Sequence, residues 1–157
     1  MLPIFSIGQT DPWLKTIKYN HIGKEFSFVK SKHTKVDGKQ IYYYDSLVLI
    51  YLGKVRTKNG RTLKIMTSRW YWGSVPRATS RIIIFNNKNQ YVGDYYLTMT
   101  YDIPDKIEGN SIVFINDKTS GCDTNLITKI SFRNGIPKKI LVNCSEKSLD
   151  IYVFENV

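Results

Sequence analysis

A chain of 157 residues with 42% hydrophobic and 13% aromatic content carries too much apolar surface for a disordered tail, and is long enough to bury one core. Its 23 Lys and Arg against 13 Asp and Glu leave a net charge of +10, which disfavours a basic partner and favours an acidic one. No run reaches the ~18 apolar residues of a membrane-crossing helix, the longest being Leu47 to Leu52, so no membrane span is expected.

Residues 1–9 are apolar and rich in small side chains towards their end. They admit two readings. One is the last part of a secretory signal peptide, lacking the basic n-region and short for an h-region of ~7–15 residues; it implies a periplasmic or secreted protein. The other is a native strand burying Ile4, Phe5 and Ile7, which fits a cytoplasmic one. Residues 10–157 then read as a single β-domain.

Asp11-Pro12-Trp13 starts a short helix, with Asp as N-cap, Pro at the first helical position and Trp13, Leu14 and Ile17 on one face. Glu25 to Lys30 alternates around Phe26 and Phe28 as a strand, and Ser31 to Gln40 reads as a basic loop with an Asp37-Gly38 turn. Leu47–Thr57 and Thr62–Trp72 flank Asn59-Gly60, the signal for a two-residue type I′ hairpin. That turn would set Lys58 opposite Arg61, Arg56 opposite Leu63, Gly53 opposite Met66 and Leu49 opposite Trp70. Lys54, Arg56, Leu52, Ile50 and Arg69 would then share one face.

Ile82-Ile83-Ile84-Phe85 is an apolar run suited to a central strand buried on both sides. Tyr91 to Tyr101 alternates as a strand, with Tyr91, Gly93, Tyr95, Leu97, Met99 and Tyr101 on one face. Ser111–Ile115 is a further strand, Leu126–Phe132 and Lys138–Val142 read as a hairpin across Asn134-Gly135, and Leu149–Phe154 closes the chain. Eight or nine strands with at most one short N-terminal helix predict an all-β fold, an antiparallel sandwich or barrel.

Catalytic patterns are missing. There is no P-loop, no G-x-G-x-x-G, no G-x-S-x-G elbow and no metal-ligand run, so neither a cofactor nor a metal is expected. Only His21 and His33 could act as bases; Cys122 or Cys144 beside His33 has no local mark of an activated thiol. Asp94, Asp102 and Asp105 cluster in sequence, but beside Pro104 and Gly109 they read as turn-formers rather than a carboxylate pair. A non-catalytic binding domain is the expectation.

Its binding surface is marked by charge. From Ser46 to Gly93 there is no Asp or Glu, while nine cations occur: Lys54, Arg56, Lys58, Arg61, Lys64, Arg69, Arg77, Arg81 and Lys88. Trp70, Tyr71 and Trp72 lie in the middle of this block. Alternation sends both tryptophans to the face of Leu47 and Leu49, which favours core packing, and turns Tyr71 outward with Arg69. The candidate partner-binding set is therefore Lys54, Arg56, Lys58, Arg61, Arg69, Tyr71 and Arg77. The expected partner is an acidic protein surface, the domain acting as an inhibitor or toxin-neutralising (immunity-type) protein. A single-stranded nucleic-acid-binding barrel is the alternative, and a glycan-binding module the third reading.

The even cysteine pair, Cys122 and Cys144, is expected to form a disulfide in an oxidising compartment. Closing a loop of this length should stabilise the fold by ~3 kcal/mol on chain-entropy grounds. A thiol assay on denatured, unreduced protein should count no free thiol, and prior reduction should lower the denaturation midpoint; two free thiols would overturn the pairing.

Overall fold

Five consecutive strands zigzag into one antiparallel sheet: β1 (Glu25–Val36), β2 (Lys39–Arg56), β3 (Thr62–Gly73), β4 (Arg77–Asn86) and β5 (Tyr91–Leu97). They are seen in a computed structural model that describes residues 10–19, 21–73 and 77–156. The reading of residues 1–9 as signal remnant or strand lies outside these. Strands β6 (Lys106–Glu108), β7 (Ser111–Ile115) and β8 (Ile127–Ser131) form a second, three-stranded sheet. Strands β9 (Lys139–Ser145) and β10 (Ser148–Glu155) then return to the large sheet, giving the order β1-β2-β3-β4-β5-β10-β9. The expected all-β, antiparallel class is what forms.

The only long helix among the described residues, α1 (Thr10–Tyr19), lies across one face of the large sheet. Its Trp13 and Ile17 are buried with Leu49, Tyr51, Met66, Ile83 and Phe85, and the Trp13 ring meets Phe85 edge-on at 5.8 Å. The opposite face packs on the second sheet and on β9–β10, where Val55, Leu63, Ile65, Ile82 and Ile84 meet Ile112, Phe114, Phe132 and Tyr152. With a core on each side, β4 must be apolar on both, and Ile82 to Phe85 are all at most 2% exposed.

Four expectations from the sequence are corrected. The first concerns the β2–β3 hairpin. The turn holds three residues rather than two: Thr57 N donates to Arg61 O, Gly60 N donates to Thr57 O, and Gly60 sits at φ +86°. Arg56 therefore faces Thr62, and Val55 faces Leu63. A bulge at Leu52, between Tyr51 and Gly53, then shifts the register again, so that Leu49 faces Ser68 and Leu47 faces Trp70. Gly53 takes φ +122° there, a conformation that side chains with a Cβ avoid.

The second concerns Ser31 to Gln40, which is strand rather than loop. Asp37 and Gly38 both have positive φ, forming the tight turn, and His33 pairs with Tyr42 across the ribbon. β3 ends at Gly73 opposite Tyr44, so among the described residues 39–43 pair with β1 alone. The described side chains of residues 33–42 are exposed or half-exposed, so no buried face imposes an apolar alternation on them.

The third concerns Asn134-Gly135. Strand β8 pairs with β7 and β9 with β10, so the chain here turns a corner between sheets instead of closing a hairpin. Gly135 N donates to Phe132 O across that corner. A smaller bulge near Val92 likewise moves Tyr91 to the helix side, opposite Phe85, away from Gly93 and Tyr95; the strand itself ends at Leu97.

The return of β10 to β5 rests on two residue pairs, Phe154 with Tyr95 and Glu155 with Asp94. Gly93 makes room for it, since a Cβ there would lie 2.5 Å from the Glu155 carbonyl oxygen. Elsewhere the expected disulfide joins Cys122 to Cys144, with a Cα–Cα distance of 4.6 Å, and Asp123 N donates to Cys144 O beside it.

The bulge makes a stability prediction. Gly53→Ala has space beside Ile22 and Ile107 but not the backbone angle, and should cost on the order of 1–3 kcal/mol. Fully buried Leu49→Ala should cost about 2–5 kcal/mol, and Lys58→Glu at the exposed turn within about 0.5 kcal/mol. Urea denaturation ranks the three; a Gly53→Ala variant as silent as Lys58→Glu would remove the bulge from the account.

Candidate binding surfaces

Shifting one strand by one residue splits the predicted basic face. Beyond the bulge, Lys54 and Arg56 point to the helix side of the sheet, and Lys54 pairs directly with Lys64. Before the bulge, Ile50 and Leu52 belong to the other side, where Arg69 faces Val48 across the strands. The seven candidate residues therefore occupy three places.

Lys54, Arg56, Lys58 and Arg61 come together at the hairpin tip, all exposed. The tip is held by backbone bonds rather than left free. Arg56 N donates to Asn110 Oδ1 at 2.9 Å and Lys58 N to Arg133 O at 2.7 Å, tying it to the second sheet's turns. Inside the turn, Thr57 Oγ1 bonds the Asn59 side chain and accepts from Arg61 N at 3.1 Å. Two cations from other turns reach the same end of the molecule, Lys88 in the β4–β5 turn and Arg133 after β8. Lys64 Nζ donates to Asn89 Oδ1 at 2.5 Å, which brings the β4–β5 turn against β3. Burial first, and then the charge of Lys54, lowers the Lys64 pKa.

None of these cations makes an ion pair among the described residues; the three pairs formed there are Arg81–Asp94, Lys106–Glu108 and Lys129–Glu108. Lys64, Lys88 and Arg133 were outside the set chosen from sequence. Lys64 was detectable as part of the carboxylate-free block, but Arg133 joins through a turn far away in sequence.

Tyr71 lies near the far end of β3 and Arg77 at the start of β4 opposite Trp72, about 23–26 Å along the sheet from Lys64 at ~3.3 Å per residue. Tyr71 faces Ser46 and Ala78 on the side away from the helix, as does Arg69. Arg77 is on the helix side, its guanidinium 5.4 Å from the centre of the Trp72 ring. Trp70 and Trp72 share the face of Leu47 and Leu49 as expected, yet both are only half-buried. Their rings stack at 5.5 Å, and each indole N–H is already used, Trp70 on Asp45 and Trp72 on Thr79.

Arg81, counted in the basic block, is not a surface cation. It is buried against Asp94, Nη1 to Oδ1 at 2.9 Å, and lies 4.9 Å from the centre of the Tyr96 ring. The sequence cluster Asp94, Asp102 and Asp105 does not converge: Asp94 serves Arg81 and Tyr91, and Asp105 accepts from Ile115 N. Asp102 instead meets Asp150, and accepts from Tyr152 Oη at 2.6 Å. Cys122 and Cys144, bonded to each other, leave neither thiol to pair with His33.

No protein-family model matches the chain, and no curated protein and no solved structure matches it.

The Asp102–Asp150 contact gives a pH prediction. Burial first, then the hydrogen bond and charge of Asp150, pushes the Asp102 pKa up to about 7. A carboxyl whose pKa is raised by folding stabilises the fold below its unfolded pKa of ~4, and that contribution fades as pH rises towards 7. Asp102→Asn, which cannot ionise, should therefore gain in melting temperature relative to the parent as pH goes from 4 to 7. Parallel thermal scans measure the difference; a difference independent of pH would remove Asp102 as the titrating group.

Proposed function

We propose that the protein is a non-catalytic binding domain that engages an acidic surface of a protein partner through the basic end of its large sheet. The observation that carries this reading is the group Lys54, Arg56, Lys58, Arg61 and Lys64, joined by Lys88 and Arg133, without an ion pair among the described residues. Like charges paired across strands, as Lys54 with Lys64, oppose folding, and a partner carboxylate would relieve that cost. The backbone bonds to Asn110 and Arg133 pre-organise the tip, which lowers the entropy lost on binding.

The same reading takes the domain as exported. The Cys122–Cys144 bond suits an oxidising compartment, and no helix among the described residues is long and apolar enough to cross a membrane. An inhibitor or toxin-neutralising role needs no more than this: a cross-linked scaffold and a charged anchor surface. A second reading, single-stranded nucleic acid on the basic–aromatic block, draws on the stacked Trp70–Trp72 pair beside Arg77. It is the weaker one, because those rings lie at the other end of the sheet from the tip.

Affinity capture from the source cells, analysed for protein and nucleic acid, identifies the partner. Arg56→Glu with Arg61→Glu should then slow association at least about tenfold at low salt and leave the melting temperature unchanged. A protein partner should lose mainly association rate as salt rises, whereas nucleic acid should show log affinity falling linearly and steeply with log salt. Unchanged binding by the double variant would exclude the tip as the site.

A further inference from the structure

The side of the sheet away from the helix carries a hollow that the basic end does not use. A cavity of about 240 Å³ opens between β2–β3 and the segments flanking β6 and β7. Ile50, Leu52 and Ile103 give it apolar surface; Arg69 borders it from β3, and Asp105 and Asp117 border it from the opposite layer. Arg69 also borders an adjoining hollow of about 20 Å³, with Thr67 and Glu25.

The charges around this cavity are incompletely used. Asp105 spends Oδ2 on Ile115 N at 2.7 Å, and Asp117 spends Oδ1 on Thr119 N at 2.9 Å. Among the described residues, no hydrogen bond takes the other oxygen of either. Arg69 makes no ion pair among the described residues. A guanidinium and two carboxylates thus border one hollow, half polar and half apolar, without pairing with each other. A ligand bearing both charges on a short apolar body would complete them.

Size narrows the class further. At the ~30 Å³ each molecule takes in liquid water, the cavity holds about eight heavy atoms, well below a drug-sized ligand. We propose that it binds a free α-amino acid with an apolar side chain. The carboxylate sits on Arg69, the ammonium on Asp105 and Asp117, and the side chain on Ile50, Leu52 and Ile103. The proposal does not depend on the basic end, since Arg69 is separated from the tip by the bulge.

Calorimetric titration of the full chain with L-leucine tests it, with isocaproate (no ammonium) and isoamylamine (no carboxylate) as partial ligands. One site is expected, and both partial ligands should bind more weakly than leucine. Arg69→Gln should weaken leucine by about tenfold to a hundredfold, the range of one charge-assisted hydrogen bond. Arg69 is exposed, so this variant should melt as the parent does. Asp105→Asn and Asp117→Asn keep their backbone bonds and should weaken leucine while leaving isocaproate unaffected. Arg56→Glu with Arg61→Glu should not change leucine binding at all, which separates this site from the basic end. Absence of heat and of amide NMR shifts at millimolar leucine would overturn the proposal. So would an unweakened Arg69→Gln, or either partial ligand binding as tightly as leucine.

Discussion

One extra residue in β2 decides what each side of this protein presents. Upstream of the bulge, odd positions Leu47, Leu49 and Tyr51 face the helix and even positions Val48 and Ile50 face the second sheet. Had that alternation continued, Val55 would have pointed to the helix side and Lys54 and Arg56 into the inner core, where an unpaired cation is strongly disfavoured. The bulge reverses the parity, so Val55 is buried at 1% exposure and the cations reach solvent. Gly53 is the residue that permits it.

The sheet is buried from two sides, and its polar interior is correspondingly organised. Arg81, opposite Tyr96, and Asp94, opposite Ile83, pair diagonally across β4 and β5 on the helix side, near the end of the cluster built on Trp13. Asp94 spends its second oxygen on Tyr91, whose ring approaches Trp13, so the ion pair and the helix contact share a neighbour. Burial, the hydrogen bond to Asp94 and the nearby charge of Asp94 all raise the Tyr91 pKa, keeping that hydroxyl a donor at any ordinary pH. Buried ion pairs of this kind add little net stability over an apolar replacement, but removing one partner is costly. Their effect here is to fix how β5 sits against β4.

The class of fold was legible from alternation and turn residues, and so was the buried centre at Ile82 to Phe85. The disulfide followed from an even cysteine count. What failed were inferences that crossed from one strand to the next. Asn59-Gly60 announced a hairpin but not its loop length, because Lys58, Asn59 and Gly60, closed by Thr57 and Arg61, also make a three-residue turn with a left-handed glycine. Asn134-Gly135 carried the same dipeptide and joined strands of different sheets, since no local signal says which neighbour a strand will choose. The charged candidates were read as one face, and it is register, not residue type, that separates Arg69 from Lys54. The cavity beside Arg69 was invisible because most of its lining comes from residues 101–117.

The two-pair seam between β5 and β10 also sets an order of events in time. Strands β1 to β5 are neighbours in sequence and can zip up as soon as they are made, since each new pairing closes only a short loop. Phe154 lies almost at the end of the chain, yet it is what covers Tyr95 and pairs the outer edge of β5. Until β10 is made, that edge stays open and the inner faces of Ile82, Ile84 and Tyr95 lack their cover from Tyr152 and Phe154. An unpaired edge beside exposed apolar surface is the arrangement in which chains join the wrong neighbour. The interval before β10 docks is therefore when the large sheet is most open to mispairing.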